Sequence, residues 1–250
     1  MVTQLRPELA TVLLNVADHG VTVSLLSSAD LTRPIVIDAA KASEMMRQYS
    51  WLLERIGDDR ITLTSAGRLP PAVVEETVSA LDLNPYGFGK ANREVHTPVG
   101  YLRESTQRLG LARRSKGSLI LTPAGRRLRS DPVALWWHVA QHLPEEKREF
   151  AQHAGFLVLL AVASGLPAGD SLGLGKLVAD GLADIGWRDP QTGERPSDID
   201  AFQAGWETWT TLRRTGAIPE RAPREGDKPA PAPGPSGRAF ARAALTVSET

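Results

Sequence analysis

One short phrase occurs twice in this 250-residue chain and limits its possible folds more than any other feature. It reads Ile61-Thr62-Leu63-Thr64-Ser65-Ala66-Gly67-Arg68-Leu69 and again Leu119-Ile120-Leu121-Thr122-Pro123-Ala124-Gly125-Arg126-Arg127-Leu128. In both copies two large aliphatic residues flank one other residue, the pattern of a short strand with one buried face. A Thr then stands where a helix N-cap is needed, and in the second copy Pro123 follows at the first helical position, where a missing N–H costs nothing. Upstream of each copy a helical stretch ends in Gly (Ile56-Gly57, Leu109-Gly110). A polar tip follows, Asp58-Asp59-Arg60 in one case and Arg113-Arg114-Ser115-Lys116-Gly117 in the other.

Helix, strand, charged tip, strand and capped helix together describe a winged helix. The expected fold class is therefore mainly α with short β wings, in tandem winged-helix-like units. Three units are expected. Residues 1–84 form an N-terminal unit with an acidic wing, and 85–143 a basic one. Residues 144–250 form a helical, degenerate unit with a disordered loop or wing tip at 219–235, where Pro, Ala and charged residues show no periodicity. That third unit closes on Pro235-Ser236-Gly237-Arg238, a faint return of Pro123-Ala124-Gly125-Arg126.

Periodicity supplies the helices between these landmarks. Ala42, Met45, Met46, Tyr49, Leu52, Leu53 and Ile56 recur at three and four residues, an amphipathic helix over 38–56. Val73, Val74, Thr77, Val78 and Leu81 predict another after Pro70-Pro71. Thr97-Pro98 opens a third with Val99, Leu102, Thr106 and Leu109 inward and Gly100, Arg103, Glu104 and Gln107 on the opposite face. Asp131-Pro132 caps one through Leu143, and later helices are expected over 145–164, 172–185 and 198–215. The apolar run 154–165 suits a buried helix and is too short to span a bilayer. Near the start, Leu9 to Ala17 reads as helix and Val21 to Leu26 as strand.

Net charge is zero, but the charge is unevenly distributed. Residues 1–84 carry 7 basic and 11 acidic side chains, 85–130 carry 10 and 2, 131–209 carry 5 and 12, and 210–250 carry 7 and 4. A basic segment on a neutral protein is the form that a polyanion footprint takes. With no Cys there is no disulfide, thiolate metal site or Cys nucleophile, and with no leader or membrane span the expectation is a cytoplasmic protein.

The basic segment yields the candidate site, with duplex DNA as the expected partner. Arg103 and Gln107, with Arg108 beside them, have the spacing to reach base edges from the helix 97–109. Arg113, Arg114 and Lys116 on the wing 113–117, with Arg93, Arg126 and Arg127, would neutralise phosphates. The competing explanation is a solubilising arginine surface, with Glu104 repelling phosphate. The acidic first tip cannot grip phosphate, so that unit suits packing or dimerisation. The alternative function is thus a non-enzymatic protein-interaction or scaffold module, with a homodimer or protein partner.

Enzyme chemistry finds no assembled site. His138 and His142 have the i,i+4 spacing of paired metal ligands, but Val139 stands where a zincin would place Glu. Gly89-Lys90 and Gly175-Lys176 lack the remaining residues of a phosphate loop. Trp136, Trp137, Trp206 and Trp209 sit at core spacings. No cofactor and no metal is expected.

Two resemblances bear on this reading. The run Leu63-Thr64-Ser65-Ala66-Gly67-Arg68-Leu69-Pro70-Pro71-Ala72-Val73-Val74, with Asn92-Arg93-Glu94, Thr97-Pro98-Val99, Leu102-Arg103, Leu109-Gly110-Leu111 and the stretch Leu121 to Trp136, resembles the carboxy-terminal region of a bacterial family of plasmid and transposon passenger proteins. It covers about a third of the chain and implies a mobile-element-associated role. The resemblance does not reach the amino-terminal domain typical of that family, so no activity of that domain is implied. Leu-Thr-x-x-Gly-Arg after a strand also resembles the wing exit of multiple-antibiotic-resistance-type repressors, which implies transcription regulation.

Overall fold

The amphipathic stretches make the chain mainly helical; the computed structural model describes residues 4–13, 16, 20–83, 94, 97–219 and 231–247. Strand β1 (Gln4–Leu5) leads into helices α1 (Pro7–Leu13), α2 (Val21–Ala29) and α3 (Ala39–Ile56). Then come β2 (Ile61–Thr62), α4 (Pro71–Leu81), α5 (Pro98–Arg108), the hairpin β3 (Ala112–Ser115) and β4 (Ser118–Leu121), α6 (Pro123–Leu128) and α7 (Pro132–Gln141). The remainder is α8 (Glu149–Ser164), α9 (Ser171–Asp184), α10 (Asp198–Ala204), α11 (Trp206–Arg214), α12 (Pro235–Leu245) and β5 (Thr246–Val247). Among the described residues no helix is long and apolar enough to cross a membrane.

The chain forms two compact units, an insert unit of residues 42–136 and a terminal unit of 1–41 with 137–250. These limits differ from the expected boundaries after 84 and 143, and the sheet gives the reason. β2, from the first copy of the phrase, pairs antiparallel with β4, from the second (Ile61↔Leu119, Thr62↔Ser118), and the order is β2-β4-β3. The two copies therefore supply two strands of one sheet, not two separate wings.

Within the insert unit all seven apolar positions of the α3 stripe are buried, Ala42 through Ile56. A fully buried aliphatic or aromatic side chain contributes roughly 1.5–3 kcal/mol over an exposed one, so this stripe anchors the unit. Trp136 is completely buried, its Nε1–H 3.3 Å from the Met45 sulfur. Tyr49 and Ser105 join α3 to α5 through a buried hydroxyl pair at 2.7 Å. The expected caps are present on α5 and α6: Thr97 Oγ1 accepts from Gly100 N at 3.3 Å, and Thr122 Oγ1 from Gly125 N at 3.0 Å.

The first copy of the phrase departs from expectation on both sides. Gly57 to Arg60 joins α3 directly to β2 with no preceding strand, so Asp58-Asp59-Arg60 is no wing tip. Asp58 pairs instead with Arg129 at 3.0 Å. Thr64 caps no helix. Its N–H donates to Arg68 O (2.8 Å), its carbonyl accepts from Gly67 N (2.8 Å) and its hydroxyl from Arg68 N (3.2 Å), closing a turn in which Gly67 has φ +69°.

In the terminal unit α8 is apolar on every side, with Ala154 to Ala163 all buried, as a central helix must be. α2, α9, α10, α11 and α12 pack against it. The expected long helix over 198–215 is broken at Gly205, where a Cβ would lie 3.0 Å from Val158 Cγ2. Val21 to Leu26, expected as strand, is the first part of α2. The Asp184 carboxylate, far away in sequence, accepts from Thr22 N (3.1 Å) and Thr22 Oγ1 (3.2 Å) and so supplies the cap that the local sequence lacks. A Cβ on Gly20 would meet that carboxylate at 2.3 Å. β1 and β5 pair antiparallel, Gln4 opposite Val247.

The degenerate return of the phrase has a physical counterpart. Gly110 and Gly216 both end helices at positive φ (+68° and +70°). A Cβ on Gly125 would lie 2.0 Å from the Leu111 carbonyl oxygen, and one on Gly237 would lie 2.3 Å from that of Ala217. In both places a glycine early in a helix lets the chain just past an earlier helix end approach. No hairpin joins those elements among the described residues of the terminal unit. Residues 220–230, the greater part of the expected loop 219–235, lie outside the described set, as does the expected turn at 84–89.

Candidate nucleic-acid interface

β3 and β4 are joined by Lys116 and Gly117, both at positive φ (+46° and +73°), the two-residue turn that matches strand twist in a hairpin. Register sets Arg113 opposite Ile120 and Arg114 opposite Leu119. Arg113, Arg114 and Lys116 are all exposed, while Leu119 and Leu121 on β4 are buried. Because β3 is the sheet edge, its charges also discourage further strand pairing. Arg126 and Arg127 on α6 are exposed as well, so five of the expected phosphate-binding side chains stand open to solvent. Arg93 lies outside the described residues.

α5 is rotated relative to the expected reading. Its buried residues are Val99, Gly100, Leu102, Arg103, Ser105 and Thr106, which leaves Pro98 and Glu104 exposed and Tyr101, Gln107 and Arg108 half-buried. Arg103 is therefore not available for a base edge: its Nε donates to Glu94 Oε1 in a buried ion pair. One Nη donates to Gln107 Oε1 at 2.6 Å, so Gln107 too is engaged inside the protein. The other lies 3.7 Å from Glu104.

Glu94 is the residue that the expected reading missed, and it explains the rotation. Its Oε2 accepts from Leu69 N at 2.8 Å, while its carbonyl accepts from Thr97 Oγ1 at 2.6 Å. A Cβ on Gly100 would lie 2.3 Å from that carbonyl oxygen, so glycine allows the close approach. One carboxylate thus ties the end of the first phrase, the start of α5 and the Arg103 guanidinium together. The available signal was its rarity: over 85–130 it is one of 2 acids among 10 cations.

A cleft opens between the Thr64–Arg68 turn and the first half of α5, lined by Arg68, Arg114, Tyr101 and Glu104 among others. Arg68 is exposed and was not among the expected phosphate-binding residues. The Arg114 guanidinium lies over the turn, 3.1 Å from where a Cβ on Gly67 would stand. No protein-family model, curated protein or solved structure matches this chain. The arrangement is accordingly read on its chemistry alone: exposed cations on a hairpin and on the adjoining turn and helix, beside a helix whose Arg103 is turned inward.

Most of the other expected motifs fall in the terminal unit. His138 and His142 stack with ring centroids 3.9 Å apart, and His142 Nδ1 lies 2.7 Å from the His138 carbonyl oxygen. Among the described residues no group of three or more His, Asp or Glu side chains is placed to hold a metal. Gly175-Lys176 lies inside α9, where Lys176 pairs with Asp180 at 2.7 Å and Gly175 faces the Asp198 carbonyl. Gly89-Lys90 lies outside the described residues. Trp209 is buried with its Nε1–H on Ala168 O at 2.8 Å, and Trp206 packs beside it, ring centroids 5.1 Å apart.

Proposed function

We infer that the insert unit is a single winged helix that binds duplex DNA, the β3–β4 hairpin acting as the wing and α5 as the helix presented to the groove. The order helix, strand, helix, helix, hairpin with a β2-β4-β3 sheet supports this reading. The observation that carries it is the exposure of Arg113, Arg114 and Lys116 on a hairpin flanked by exposed Arg68, Arg126 and Arg127. With Arg103 and Gln107 engaged internally, this surface favours phosphate binding over base readout, and the residues left to meet a groove are Pro98, Tyr101, Glu104 and Arg108. A role in transcription regulation or on a mobile element rests on the sequence resemblances alone.

An electrophoretic shift of the full chain on random duplex at two salt concentrations tests the proposal. Replacing Arg113, Arg114 and Lys116 by Ala should weaken binding and lower the slope of log K against log salt by about three, close to one for each phosphate that is no longer neutralised. Unchanged binding by the triple variant would remove the wing from the interface. The protein-interaction reading has one observation of its own, an apolar groove in the terminal unit lined by Leu172, Ile199, Phe202 and Trp206, with Leu172 75% and Ile199 63% exposed. Failure to shift duplex at low salt would favour it.

A further inference from the structure

The turn between α3 and β2 brings more to the insert unit than its two acids. Gly57, Asp58 and Arg60 form one side of an open cleft of about 230 Å³, and Ser115 and Lys116 of the wing and Arg126 of α6 form the other. Three cations from three separate elements therefore border one space. Arg60, Lys116 and Arg126 are all exposed, and among the described residues none of the three side chains has a hydrogen bond or ion pair. The one carboxylate in the lining, Asp58, is held by Arg129 at 3.0 Å, and Asp59 is not part of the wall. The residues of the insert unit outside the described set, 84–93, 95 and 96, contain no Asp or Glu. Cations converging on a cleft whose only carboxylate is already paired focus a positive field there, which is the electrostatics of an anion site.

The backbone carries a second, independent signal. Arg60 (φ +66°) and Lys116 (φ +46°) are two of the four described non-glycine residues in the left-handed region, a conformation unfavourable to any side chain with a Cβ. The hairpin turn calls for that conformation at Lys116, although Asn or Gly would meet it with less strain. Arg60 lies in no hairpin: it follows a turn and leads straight into Ile61 of β2. Strained residues gather where a fold holds a ligand, and here both strained cations line the same cleft.

We propose that this cleft holds one phosphate group between Arg60, Lys116 and Arg126, which makes Arg60 a phosphate-binding residue in a turn whose acids point away from such a role. Two guanidinium forks and an ammonium arriving from different elements suit a tetrahedral group with oxygens in several directions better than a planar carboxylate. The phosphate comes either from the backbone of the duplex proposed for the hairpin surface or from a free phosphate ion or ester. The first source rests on the duplex reading and the second does not.

Two titrations of the full chain test it, one with random duplex and one with inorganic phosphate and glycerol 3-phosphate at constant ionic strength in chloride. Arg60→Asn removes the charge with a residue that tolerates the left-handed backbone, and Arg60→Lys keeps the charge. In at least one arm Arg60→Asn should bind roughly five- to tenfold more weakly, the loss of one charge-assisted hydrogen bond, and Arg60→Lys should recover most of that. Weakening towards duplex, with a slope of log K against log salt lowered by up to about one, assigns the backbone as the source. Weakening towards the small probes alone assigns the free ion or ester. Arg47→Gln makes the same charge change on α3, at a residue outside the cleft, and should leave both arms unchanged. A wild type that shifts no duplex would remove the duplex reading, and the small probes would still decide the site. Equal affinity of wild type and Arg60→Asn in both arms, or equal weakening by Arg47→Gln, would overturn the proposal.

Discussion

The two copies of the repeated phrase share Leu-Thr-x-Ala-Gly-Arg, yet the chain does different things with them. After β4, Thr122 caps α6, and Gly125 sits inside that helix against the Leu111 carbonyl. After β2, Thr64 closes a turn on Arg68, Gly67 takes a left-handed conformation, and the helix waits until Pro71. Two differences separate them. Pro123 sets the backbone angle of a first helical turn directly after the cap, whereas Ser65 does not. In the first copy Pro70 and Pro71 follow at once, and a residue before proline is held extended, so a helix begun at Thr64 could not continue. In both copies the shared letters follow a strand; their neighbours decide what comes next.

The largest expected effect tests what holds the first copy in place. Glu94→Ala removes the acceptor of Leu69 N–H and takes from the buried Arg103 its one buried carboxylate, leaving only the half-exposed Glu104 at 3.7 Å, which should cost about 3–5 kcal/mol in urea denaturation. Pairing it with Arg103→Met should recover a large part of that loss. If Glu94→Ala is nearly neutral, the anchoring of the first phrase lies elsewhere. The two glycines give the next comparison. Gly125→Ala drives a methyl into a backbone carbonyl and should destabilise by roughly 1–3 kcal/mol or more. Gly67→Ala meets only the movable Arg114 side chain and should cost about 1–2 kcal/mol, from its left-handed backbone. A reversed order would mean that the second glycine does not hold its helix against Leu111. The smallest effect separates the threonines: Thr122→Ala should lose about 1 kcal/mol as a missing helix cap, and Thr64→Ala less.

Much of the insert unit was legible because its rules are local. The α3 stripe, the Thr97 and Thr122 caps and the exposed cations at Arg113, Arg114, Lys116, Arg126 and Arg127 all follow from spacing or from side-chain chemistry. What escaped depends on partners distant in sequence. Val21 to Leu26 reads as strand until Asp184 is seen capping it as helix. The two phrases read as two wings because strand pairing across more than fifty residues leaves no mark in either. Arg103 was placed on the reading face because periodicity assigns a polar residue to the outside, and only the Glu94 carboxylate reverses that assignment.

The pairing of β1 with β5 joins the first described strand of the chain to the last. A ribosome releases residues in order, so the terminal unit cannot close that sheet until the final helix and strand have emerged, whereas the insert unit has all its residues available more than a hundred residues earlier. Synthesis therefore imposes a schedule: the insert unit can finish folding on the nascent chain, and the terminal unit is completed only once Thr246 and Val247 have emerged.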